Sequence, residues 1–171
     1  LDHANKALTL DNNIGLAHKA IAEIHRTNRR GVESDKIFDI AYQLSPNEVD
    51  ILKSYSRLLS TIGKHDQSIQ LAQRAVDIAP NDYNWYSLLG GVLMISGRSA
   101  ESIEAYHRAT AVKPSAIVHR NTGMMQVRLG NDAEALMEFR LADKILEKSA
   151  LMTPIAKLAY GYSRLGRQDD A

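Results

Sequence analysis

Pro46, Pro80 and Pro114 stand 34 residues apart, twice over. An internal repeat of that length constrains the fold more than any composition figure. Each unit must then pack chiefly against its neighbours in sequence. The glycines keep the same interval: Gly63 and Gly97 are 34 apart, Gly130 follows after 33 and Gly166 after 36. Ala41, Ala75 and Ala109 each precede a periodic proline by five residues, and Ala142 continues the series. Pro154 breaks the spacing. No segment shows the apolar/polar alternation of a half-buried strand. The periodic residues make sense as helical hairpins. Small residues at Ala22, Gly90, Gly123 and Ala159 let two helices approach closely, and the alanine series does the same for the second helix. Glycines at the turns accept a positive φ at no steric cost. Prolines after Leu44, Ile78 and Val112 stop the second helix of each hairpin. Asn47, Asn81-Asp82 and Ser115 read as turn or cap residues, and Thr153-Pro154 as an N-cap with a first-turn proline.

The 34-residue unit resembles the tetratricopeptide repeat (TPR). The fullest match carries Tyr86, Leu89-Gly90, Gly97, Ser102, Tyr106, Ala109 and Pro114 at the aromatic, Leu-Gly, turn, small, aromatic, small and proline positions. The unit before it fits with Tyr55, Ser56, Leu59, Gly63, Ser68, Ala75 and Pro80. An earlier one fits with Ile21, Ala22, Phe38, Ala41 and Pro46, but has Arg29 at the turn-glycine position. A later one fits with Gly123, Gly130, Ala135, Phe139 and Ala142, but has Glu147 for proline. The resemblance implies an all-α fold, a right-handed superhelical solenoid of antiparallel helix pairs with about ten helices. The expected spans are the end of a partial repeat over 1–14, full repeats over 15–48, 49–82, 83–115 and 116–151, and the first helix of a truncated repeat over 152–171. Such a segment is expected to belong to a longer protein.

Chemistry is sparse. Lys plus Arg is 21 against 20 Asp plus Glu, a net charge of +1, which argues against a strongly basic nucleic-acid binder. The absence of cysteine removes disulfide scaffolds, thiolate zinc sites and cysteine nucleophiles. No apolar run approaches the ~18 residues that span a bilayer. The opening Leu1-Asp2-His3-Ala4-Asn5-Lys6 is not a signal peptide, and a cytoplasmic location is the expectation. Of the histidines His3, His18, His25, His65, His107 and His119, no two lie three or four apart, so none share a helix face in metal-ligand geometry. They are expected to pack. Gly90-Gly91 through Gly97 lacks the Gly-Lys-Ser/Thr ending of a phosphate loop, and its middle reads as helix core. Acids such as Glu33, Asp35 and Asp39 read as a solvated face, and Trp85 as packing at the edge of a helix pair. No catalytic motif, cofactor or metal is expected.

In TPR proteins the first helices line the concave side, and the resemblance implies a ligand groove there. At about 100° per residue the exposed positions of each first helix fall on one arc, opposite its core positions. That arc offers Leu16, Lys19, Glu23, Arg26 and Thr27 in the first full unit and Asp50, Lys53, Arg57, Ser60 and Thr61 in the second. The third offers Asn84, Ser87, Gly91, Met94 and Ile95, and the fourth Ile117, Arg120, Met124, Val127 and Arg128. Thr153, Ala156, Tyr160, Ser163 and Arg164 come from the last, partial unit. Basic groups outnumber acids along it. Gly91, Met94, Ile95 and Met124 are expected to form an apolar patch between Lys53/Arg57 and Arg120/Arg128. The expected ligand is a peptide segment with acidic flanks and one apolar anchor. The C-terminal-carboxylate clamp of some TPR domains is not expected, because Glu23 stands where the clamp has Asn. The alternative function is a regulatory or substrate-presenting segment of a larger multidomain enzyme, such as a bacterial cyclase or a glycosyl- or sulfotransferase. An end-to-end homodimer through Leu158, Tyr162 and Leu165 is a further expectation.

Overall fold

The computed structural model describes residues 14–149, in two compact units that part after Pro80. Unit 1 holds α1 (Gly15–Thr27), α2 (Gly31–Leu44), α3 (Val49–Thr61) and α4 (His65–Ile78). Unit 2 holds α5 (Tyr83–Ile95), α6 (Ser99–Val112), α7 (Ala116–Leu129) and α8 (Asp132–Ser149). All regular structure among the described residues is helical, eight helices in place of the ten expected. The two further expected helices, one before residue 14 and one over 152–171 with Ala159, Tyr160, Gly166 and the Thr153-Pro154 cap, fall outside the described residues. None of the described helices is long and apolar enough to cross a membrane.

The turns follow from backbone sterics. Gly63, Gly97 and Gly130 have φ of +82°, +80° and +79°, and Arg29 takes the same left-handed place at +59°. Each lets the chain close a Schellman turn, in which the next N–H reaches five residues back into the helix. These bonds run from Arg30 to His25, Lys64 to Leu59, Arg98 to Leu93 and Asn131 to Gln126, at 2.8–3.0 Å. Arg29 thus does the work of the missing glycine. The second helices α2, α4 and α6 end two residues before Pro46, Pro80 and Pro114. Asp82 caps α5 by accepting the Asn84 N–H at 2.9 Å. Ser115 precedes α7 without a side-chain cap bond.

Packing within each hairpin rests on small residues facing large ones. Ala41, Ala75, Ala109 and Ala142 have no exposed surface. A Cβ on Gly90 would lie 2.6 Å from the Tyr106 ring, and one on Gly123 2.6 Å from the Phe139 ring, so both glycines mark contacts too close for any side chain. Tyr106 and Phe139 are fully buried against those glycines, and Phe38, at the matching position of α2, is fully buried as well. Ala72 holds the equivalent place in α4. Serines tie the two helices of a pair. Ser34 Oγ donates to the Ala22 carbonyl at 2.8 Å, Ser68 Oγ to that of Ser56 at 2.7 Å, and Ser102 Oγ to that of Gly90 at 2.7 Å. Trp85 is buried.

Candidate functional site

Of the expected groove positions of unit 1, Glu23, Arg26, Lys53, Arg57 and Thr61 border one pocket, whereas Ser60, expected on the exposed arc, is buried. α1 contributes Glu23 and Arg26; α3 contributes Lys53, Ser54, Arg57 and Thr61, around a cavity of about 390 Å³. α3 is amphipathic: Ile51, Leu52, Tyr55, Leu58 and Leu59 face the core, which turns Lys53 and Arg57, one turn apart, to solvent. Arg26 Nε donates to Glu23 Oε2 at 2.6 Å. That bond holds the guanidinium in place and leaves its terminal NH₂ groups free of that carboxylate. Thr61 Oγ1 turns back to the Arg57 carbonyl at 2.8 Å. Lys53 and Arg57 form no ion pair with an acid among the described residues. Three cations thus face a single acid. Lys19 is half-buried on α1 and does not line this cavity.

In unit 2 the expected residues are placed differently. Asn84 is drawn into the α5 cap, its Nδ2 donating to Asp82 at 2.8 Å. Ser87, Gly91 and Met94 are half-buried along α5, and Ile95 ends it at 57 % exposure. A Cβ on Gly91 would approach the Tyr106 hydroxyl to 3.7 Å. Arg120 is half-buried, and its Nη2 donates to Asn121 Oδ1 at 2.9 Å. Asn121 Nδ2 in turn donates to the Tyr106 hydroxyl at 3.3 Å. Burial pushes the Tyr106 phenol above its usual range; the Asn121 bond and the Arg120 charge oppose that shift. Met124 packs against the cluster of Ala135, Phe139 and Ala142, so it serves the core as well as the surface. Arg128 is exposed. Tyr160 and Arg164 lie outside the described residues, as do Leu158, Tyr162 and Leu165.

Several polar contacts escape a reading of the sequence. Asp35, expected as a solvated acid, accepts the Tyr55 hydroxyl at 3.1 Å and Lys64 Nζ at 2.6 Å. Burial, then the Asp35 charge and hydrogen bond, raise the Tyr55 phenol well above its ordinary value. Tyr55 also stacks on Phe38, centroids 5.4 Å apart and rings nearly parallel. Beyond it a second cavity of about 350 Å³ opens among α2, α3 and α4, bordered by Asp39, Tyr42, Gln70 and Arg74. Arg74 is held by the Pro46 carbonyl and Asn47 Oδ1, at 3.0 and 2.6 Å. In unit 2 two histidines far apart in sequence converge on Glu138. His119 Nδ1 lies 2.7 Å from one carboxylate oxygen, and His107 Nε2 3.5 Å from the other. Among the described residues no group is arranged to hold a metal ion.

Helical hairpins at a 34-residue interval, closed by left-handed turns and packed small against large, define a TPR array. Residues 28–114, half of the chain, match the family described as Bacterial transcriptional activator domain (BTAD), and the chain belongs to that family within the TPR class. It is 39% identical over 75 residues to the small glutamine-rich tetratricopeptide repeat-containing protein 2 of Mycosarcoma maydis, covering 44% of this chain and 21% of that protein. It is 33% identical over 101 residues to the peroxisomal targeting signal receptor of Saccharomyces cerevisiae, covering 58% of this chain and 16% of the receptor. The match therefore spans only 16–21% of the length of these relatives. Its fold is similar to that of YrrB, described as a TPR protein with an unusual peptide-binding site. The TM-score is 0.75 at 19% identity, covering 94% of this chain and 80% of that one.

Proposed function

We propose that this chain is a protein–protein interaction module that binds a peptide segment on the face formed by its first helices, and that an acidic part of the peptide sits between α1 and α3. The observation that carries this reading is the convergence of Arg26, Lys53 and Arg57 on one cavity with only Glu23 opposed. On unit 2 this reading takes Met94 and Ile95 as apolar contacts, Asn84, Ser87, Gly91 and Met124 as further groove positions, and Arg120 and Arg128 as cations for a second acidic group. Lys19 contributes to the field on α1. A peroxisomal targeting signal receptor and a TPR protein with a peptide-binding site among the similar proteins support the reading of a binding module. The description of the family as an activator domain favours a protein contact within a larger regulatory chain.

Fluorescence anisotropy against matched acidic, neutral and basic peptides tests the reading. Acidic peptides should bind best, and the preference should fade with salt, because the screening length falls from about 10 Å at 0.1 M to about 3 Å at 1 M. Lys53→Glu with Arg57→Glu should weaken acidic peptides by about tenfold or more, since each exposed charge pair contributes up to about 1 kcal/mol and reversal adds repulsion. Equal affinity for the three peptides, indifferent to salt, would discard this site.

A further inference from the structure

The geometry points to the α1/α3 pocket as a receptor for a phosphorylated serine or threonine of the partner peptide, held by Arg26, Lys53 and Arg57. This rests on the peptide-binding reading of the same face and names the group that fits it. Three cations and one carboxylate line the cavity, which leaves two positive charges uncompensated. A glutamate or aspartate of a ligand would neutralise one of them. A phosphoryl monoester carries about −1.5 to −2 at neutral pH and three acceptor oxygens, and it matches the excess. The donors suit it as well. Arg26 is oriented by Glu23 through Nε, so the outer edge of its guanidinium remains for paired N–H···O bonds. Arg57 brings a second planar fork, Lys53 a point charge, and Ser54 a half-buried hydroxyl on the same wall.

Two further observations set this pocket apart from a merely solubilising face. Lys53 and Arg57 are four apart on α3, and like charges at that spacing disfavour the helix locally. Their equivalents one repeat later, 34 residues on, are Ser87 and Gly91, so the pair is not a feature of every first helix. The chain keeps a locally unfavourable pair where Arg26 of the neighbouring first helix joins it.

The test immobilises the 171-residue chain and applies four probes. Three are degenerate peptide libraries whose central residue is phosphoserine, glutamate or serine; the fourth is a random-sequence single-stranded DNA oligonucleotide. The phosphoserine library should be retained about tenfold over the glutamate library. Lys53→Ala with Arg57→Ala should reduce it to the level of the serine library, with helix content by circular dichroism unchanged. If that variant loses helix content, Arg57→Lys carries the test, because it keeps the charge and removes the planar fork; phosphoserine retention must then fall. Equal retention of glutamate and phosphoserine, both lost in the double variant, overturns the phosphoryl assignment and leaves the peptide site standing. Phosphoserine retention indifferent to both substitutions overturns the pocket. Tighter retention of the oligonucleotide than of any peptide overturns it too and gives the cations to a nucleic-acid backbone. No retention of any library overturns both this inference and the peptide-binding reading.

Discussion

Arg29 holds a backbone conformation that three glycines hold elsewhere in the chain, at φ of +59°. A side chain there meets the steric penalty of the left-handed region, of order 1 kcal/mol. Arg29→Gly should therefore raise the stability of the α1–α2 hairpin by about 0.5–1 kcal/mol, read as a higher urea midpoint with unchanged m. Tyr55 couples stability to pH. Its folded phenol holds its proton to a pH above the ordinary value near 10, whereas the unfolded phenol loses it there. The folded state then binds the extra proton, so its stability is whole below about pH 10 and falls above it. Tyr106 acts in the same direction. Tyr55→Phe should cost about 1 kcal/mol at neutral pH through the lost Asp35 bond, and should make the alkaline decline shallower. An alkaline decline as steep in the variant as in the parent would contradict this account.

In the α5–α6 and α7–α8 hairpins a glycine of the first helix sits against an aromatic ring of the second, and in three hairpins a serine crosses between the two helices. Ser102→Ala should remove the bond to the Gly90 carbonyl and cost about 1 kcal/mol, measured by chemical denaturation. Ala135 in α8 shows that the position accepts a residue without that bond. These elements were legible in the sequence because a 34-residue interval repeats each decision: the small residue, the turn, the stop. A single glycine or proline would have said little. Arg26, Lys53 and Arg57 were legible for a related reason, since the arc of an amphipathic helix follows from its spacing. What was not legible depends on which helices meet. Asp35 looked solvated until Tyr55 of α3 and Lys64 came to it, and Glu138 gathers histidines from α6 and α7. The cavity bordered by Tyr42 and Arg74 takes most of its lining from the second helices α2 and α4, with Tyr55 and Leu59 of α3, away from the exposed arc of the first helices. Met124, expected as a surface anchor, is partly taken by the core because Phe139 lies beneath it.

Among the described residues each helix packs chiefly against its neighbours in sequence, and stability in such arrays is close to a sum over neighbours. Phe38→Ala removes a fully buried ring from unit 1 and should cost about 3–5 kcal/mol there. Amide hydrogen exchange should show protection lost across residues 15–78 and largely kept across 83–149. Uniform loss over both spans would mean that the chain unfolds as one cooperative body.

The α1/α3 pocket takes Arg26 from one hairpin and Lys53 with Arg57 from the next. Copying a single hairpin within the gene would reproduce one wall and leave the other behind. The smallest inheritable quantum of this recognition surface is therefore two consecutive hairpins, and a lineage could lengthen its array by single copies many times over without ever acquiring a second such pocket.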